Sequence, residues 1–126
     1  VSQSRLSHLC FAQIQHALLP PSVRATISTL PIAWGEPKLP PDRLARAAEH
    51  LGETARFLEE LEASEGRRIQ LCLEPEPGCV LQRTDDVIEL FHRSLYSRED
   101  QAAISNYIGV CHDVCHAAVM FEEQAG

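Results

Sequence analysis

With 126 residues, 44% hydrophobic and 23% charged, the chain has the make-up of one soluble globular domain, too short for two. Eleven Lys and Arg against eighteen Asp and Glu leave a net charge of −7, which argues against nucleic acid as a partner, since phosphate binding needs a basic surplus on one face. No apolar run approaches the roughly 18 residues of a membrane span, and the five cysteines, an odd number scattered through apolar stretches, read as buried reduced thiols of a cytoplasmic protein.

Residues Arg5 to Leu19 carry Leu6, Leu9, Cys10, Ile14, Ala17 and Leu18 at helical spacing, and Pro20-Pro21 stops the run. A β-prone segment, Ala25 to Leu30, ends at Pro31, and a proline-rich loop with Trp34-Gly35 follows. Pro41 and Asp42 suit a first helical turn. Leu44, Ala47, Ala48, Leu51, Ala55, Leu58 and Leu61 then hold a 3.6 period, with Gly66 as the stop. Ile69 to Glu74 is apolar until its last residue, as in a parallel strand covered on both faces. After the stiff loop Glu74-Pro75-Glu76-Pro77-Gly78, Thr84 is expected to cap a helix with Asp85 and Asp86 in its first turn and Val87, Leu90, Phe91 and Leu95 on its core side. Ser97 to Ser105 reads as a polar connection with room for one helical turn, Asn106 to Asp113 as a strand ending in an acid, and Val114 to Glu123 as a short helix or loop. Strands alternating with amphipathic helices make an α/β protein with a parallel sheet.

Two carboxylates thus end two successive parallel strands, where α/β proteins build their sites. Period-two alternation puts Glu74 on the side of Cys72 and Gln70, and Asp113 on the side of Cys111 and Gly109, leaving Leu71, Leu73, Ile108 and Val110 for the helices. His116 follows three residues after Asp113. Two carboxylates and an imidazole suit a divalent metal: Mn²⁺, Mg²⁺ and Co²⁺ for the oxygen ligands, Zn²⁺ more strongly for the imidazole. By itself, an acid at a strand end more often caps a helix or is a solvated charge. His112 is expected to turn toward the helix layer. Cys79 reads as a plain loop cysteine, and Glu76 as a solvated loop acid. Reading Cys111, His112, Cys115 and His116 as a zinc knuckle gives poor tetrahedral geometry.

The segment Gly109-Val110-Cys111-His112-Asp113-Val114-Cys115-His116 resembles the strand and D-x-x-H element of the xylose isomerase-like TIM-barrel superfamily. Glu74-Pro75-Glu76-Pro77-Gly78 is similar to its preceding E-x-x-x-G loop. With Thr29-Leu30-Pro31, the stretch from Ala25 to Glu123 looks most like the EboE-type metabolite-traffic barrels within it. The resemblance implies a partial (β/α)8 barrel of about three βα units. It makes Glu74 and Asp113 metal ligands, Glu74 also the mover of a substrate proton, and His116 a contact to substrate oxygen or a further metal ligand. Trp34 would line a sugar-sized pocket or cover the rim. The implied activity is metal-dependent isomerisation or epimerisation of a small sugar-like hydroxy-carbonyl compound. Non-catalytic metabolite binding of the EboE type and apurinic endonuclease-like phosphodiester cleavage are the alternatives. The endonucleases carry histidines on earlier strands, and the strand ending at Thr29-Leu30 has none. Three strands cannot close an eight-stranded barrel, so the expectation is a fragment, or a sheet that the remainder of a barrel or a partner chain completes.

Overall fold

The central strand sets the architecture. The computed structural model describes residues 3–20, 22–35 and 39–123, and in the first helix the side chains of residues 10–15, 17 and 18. Strand β2 (Ile69–Leu73) lies between β1 (Ala25–Thr29) and β3 (Ile108–Val110), all parallel, in the order β1-β2-β3. Ser28 pairs with Cys72, and Cys72 with Gly109. Ladder bonds continue past the strand ends, from the Glu74 N–H to Thr29 O (3.2 Å) and from the Cys111 N–H to Leu73 O (2.8 Å).

Side chains alternate as predicted. Ala25, Ile27, Ile69, Leu71, Leu73 and Ile108 are buried under helices, while Thr26 and Ser28 are exposed and Gln70, Cys72 and Gly109 half-buried on the other face. Fully burying each Leu or Ile contributes about 1.5–3 kcal/mol. Val110 belongs to the covered side by parity yet is 44% exposed, because β3 is an edge strand.

Helix α2 (Pro41–Glu65) follows its sequence pattern closely. Pro41 opens it, Asp42 sits in the first turn, and Ala48, Leu51, Gly52, Ala55 and Leu58 are buried. Gly66 ends it in the left-handed region (φ 72°), its N–H donating to Glu62 O at 2.8 Å. Helix α3 (Thr84–Leu90) continues into a π-helical turn, Phe91–Leu95, and buries Val87, Leu90 and Leu95. Its N-cap is Arg83, not Thr84, and the Asp86 carboxylate turns back to accept from the Gln82 and Arg83 N–H groups (both 3.0 Å), the carboxylate half of a capping box.

Three expectations are corrected. The helical turn expected after Ser97 is a longer helix, α4 (Gln101–Tyr107, seven residues), which takes Asn106 and Tyr107 out of the predicted strand. Ala103, Ile104 and Tyr107, three and four residues apart, face the core together, and that packing overrides the β preference of Tyr and Ile. The Tyr107 hydroxyl donates to Glu62 Oε2 (2.6 Å), which also accepts from Arg68 Nε (2.8 Å). Burial and the Glu62 charge push the phenol up to about 12. Second, helix α1 (Gln3–Leu18) forms, but the described part of its apolar stripe is not buried: Cys10 and Ala17 are exposed, as are Ile14 (51%) and Leu18 (76%). Small Ala12 is buried instead, and polar contacts fix the helix: Gln15 Nε2 donates to Thr26 O (2.7 Å), and buried Arg67 donates to Gln15 O (2.9 Å) and Leu19 O at the helix end. The side chains of Leu6, Leu9, His8 and His16 lie outside the described residues. Third, the cysteines are free thiols, yet only Cys79 is buried; Cys72 and Cys111 are half-buried and Cys10 and Cys115 exposed. Among the described residues, no helix is long and apolar enough to cross a membrane.

Candidate functional site

Glu74 stands one residue past β2 and just before Pro75. A residue preceding proline is held in extended geometry, so the strand alternation carries through Glu74 and keeps its side chain on the open face of the sheet. Asp113 is the N-cap of the short helix α5 (Val114–Val119), its Oδ1 accepting from the Cys115 N–H at 2.7 Å. That bond, with the neighbouring His116 ring, holds the carboxyl below the usual aspartate value. Capping occupies one oxygen, and Asp113 Oδ2 lies 3.6 Å from His116 Nε2.

His116 sits in the first turn of α5, between the two acids. Its Nδ1 is 3.1 Å from Pro75 O and 3.8 Å from Glu74 Oε1. A backbone carbonyl only accepts, so Nδ1 carries a proton in this contact, and Nε2 is the ring atom with a lone pair to offer a metal in that tautomer. On the far side of Glu74, the Ser28 hydroxyl donates to Oε2. One ligand atom from each of Glu74, Asp113 and His116 lies within 4.8 Å of the others, all three residues being half-buried. Among the described residues this is the one group of three or more His, Cys, Asp or Glu brought so close. Ligands about 2.1 Å from one ion stand about 3.0–3.4 Å apart at octahedral or tetrahedral angles, so the three groups must close by up to about 1–2 Å, a distance that side-chain rotation on an open face can cover. The donor set and its spacing therefore fit a divalent cation.

The predicted triad is thus brought together, with Asp113 placed by the N-cap of α5 rather than by strand alternation, since β3 stops at Val110. Trp34 lies in the loop that follows β1, against the loop that follows β2. Its ring packs on Gly78, where a Cβ would stand 2.9 Å from Cη2, and it stays 64% exposed. Trp34 and Cys79 form an antiparallel bridge, reinforced by Gly35 N–H to Gly78 O (2.8 Å) and Val80 N–H to Ala33 O (2.9 Å). Gly78 takes φ 88°, which only glycine adopts without strain. Ile32 takes φ 72°, a costly conformation for a β-branched residue, within two consecutive three-residue turns (Ile32 N–H to Leu30 O, 2.9 Å; Ala33 N–H to Pro31 O, 3.0 Å). The loops after β1 and β2 are thereby joined at the strand ends.

His112 is exposed rather than turned into the helix layer, because the chain has left strand geometry after Val110. Glu76 is half-buried and draws the Cys79 thiol (3.9 Å); burial, then this charge, pushes that thiol up. Sequence reasoning missed Ser28 and the Pro75 carbonyl. Ser28 was findable only with the β1–β2 register in hand, since nothing local marks it. Compared with protein-family models, with curated proteins and with solved structures, the chain finds no match in any of the three.

Proposed function

We propose that the chain is part of a (β/α)8 barrel of the xylose isomerase-like kind, which isomerises or epimerises a small sugar-like hydroxy-carbonyl compound with a divalent metal. The observation that carries this reading is the convergence of Glu74, Asp113 and His116 at the ends of adjacent parallel strands. Two carboxylates and one imidazole suit Mn²⁺, Co²⁺ or Zn²⁺ better than Mg²⁺, which prefers oxygen and water. When bound, such an ion polarises a carbonyl and a neighbouring hydroxyl as a Lewis acid, acidifying the C–H between them. Glu74 accepts that proton on Oε2, whose second lone pair the Ser28 hydroxyl leaves open, and returns it to the adjacent carbon; epimerisation would take a second proton carrier on the opposite face, from the rest of the barrel. Asp113 remains charged beneath the Cys115 N–H and anchors the ion. His116, fixed by Pro75 O, presents Nε2 to the ion or to substrate oxygen. The rest of the barrel, from the same chain or a partner, completes the sheet and roofs the pocket.

Titration with Mn²⁺ and Co²⁺ tests the site. One ion per chain is expected, with affinity lowered at least tenfold in Glu74→Gln and in Asp113→Asn; equal retention in both variants would refute the assignment. With ketose substrates in D₂O, deuterium is expected at the carbon beside the carbonyl. Compound binding without any metal would favour the EboE-type role, and about three Zn²⁺ per chain the endonuclease role, which the net charge of −7 opposes.

A further inference from the structure

Each of the three candidate ligands already has one polar atom committed to the protein. Asp113 Oδ1 accepts from the Cys115 N–H, His116 Nδ1 donates to Pro75 O, and Glu74 Oε2 accepts from the Ser28 hydroxyl. What remains is Asp113 Oδ2, His116 Nε2 and Glu74 Oε1, one atom per residue. Two of the holds come from backbone. The third comes from a side chain, and from a different strand. We infer that Ser28 is a positioning residue of the metal site: its hydroxyl engages one Glu74 oxygen and turns the other toward the ion, so that Glu74 serves as a one-oxygen ligand.

The inference rests on the metal-site reading above and extends it to β1. Ser28 is well placed for the role. It lies on the open face, in register with Cys72, two residues along β2 from Glu74. Its side chain is exposed, so a core-packing role does not explain it. Partners of this kind hold a carboxylate's orientation, and their loss typically weakens metal binding about 10–100-fold. With Ser28 gone, Glu74 Oε2 is released, and the carboxylate is free to swing or to offer both oxygens.

The test is Co²⁺ binding to the full chain, read by affinity and by the visible absorption of the bound ion. Ser28→Ala is expected to bind at least tenfold more weakly and with an altered spectrum. Ser28→Thr, which keeps the hydroxyl, is expected to restore both. Circular dichroism of each variant checks that the fold is kept. If Ser28→Ala matches the wild type in affinity and spectrum while Glu74→Gln loses the ion, Ser28 has no positioning role and the metal site stands. If Ser28→Ala and Ser28→Thr are weakened alike, the hydroxyl is not the operative group and the inference falls. If the wild-type chain binds no Co²⁺, the metal-site reading falls and the inference with it.

Discussion

Gly52 offers a sharp test of the packing, because two effects of known sign oppose each other there. In the middle of a 25-residue helix, Gly→Ala ordinarily stabilises by about 1 kcal/mol. Here a Cβ would overlap Asp100 Oδ2 and stand 2.9 Å from its Cγ, so the carboxylate must move. That carboxylate, 8% exposed, accepts from Arg56 Nη1, Arg98 Nε (2.9 Å) and Arg98 Nη2 (3.3 Å). Disrupting a well-buried charged network costs about 3–5 kcal/mol. Since Arg56 is 48% exposed and Arg98 28%, about 2–4 kcal/mol is the better figure here. The net expectation is that Gly52→Ala destabilises by about 1–3 kcal/mol, several degrees in Tm for a domain of this size. Urea denaturation followed by circular dichroism measures it. The control is the same substitution in an Asp100→Ala background, where the clash is gone and up to about 1 kcal/mol of stabilisation is expected. A stabilised single variant, or an equal effect in both backgrounds, would refute the account.

Gly78→Ala meets both a left-handed backbone and the Trp34 ring. It is expected to dislodge the indole, seen as lower anisotropy and red-shifted emission of the chain's single tryptophan; an unchanged spectrum would contradict the contact. Arg67→Met leaves the carbonyls of Gln15 and Leu19 without their donor, at a cost of about 1–3 kcal/mol, and limited proteolysis should cut between α1 and β1 faster than in the wild type. Acid should unfold the chain for a definite reason. Asp100, beside Arg98, and Glu62, beside Arg68 and Tyr107, both titrate below their ordinary 3.8 and 4.5 when folded. The unfolded chain therefore takes up those protons first, and stability present above these values is lost as pH falls below about 4. Tyr107 works in the opposite sense: raised to about 12, it favours the fold below pH 10 and ceases to as pH climbs toward 12. Flat stability from pH 5 to 3, or from 9 to 12, would contradict these assignments.

Much of the site was legible because it depends on parity. Once Ile69 to Leu73 is a strand, Glu74 must share a side with Cys72, and the D-x-x-H spacing brings His116 back over Asp113 within one helical turn. Helix α2 was legible because Leu and Ala recur on one face from Leu44 to Leu61, and the middle of that face, Ala48 to Leu58, is what the core buries. The rest turned on contacts distant in sequence. Tyr107 reads as a strand residue until Glu62, 45 residues earlier, takes its hydroxyl. Cys10, Ile14, Ala17 and Leu18 of the α1 stripe are exposed, while Arg67, a residue of β2's approach, fixes the helix by its carbonyls. Ser28 looks like any polar strand residue until β1 is set against β2.

The middle rung of the open face has a consequence for what can approach the triad. Ser28, Cys72 and Gly109 stand side by side there, and a Cβ on Gly109 would already lie 3.3 Å from the Cys72 sulfur. The floor beneath the acids is therefore only an atom or two tall. A guest resting on it comes down almost to the peptide planes, and its size is limited by whatever closes over it from above.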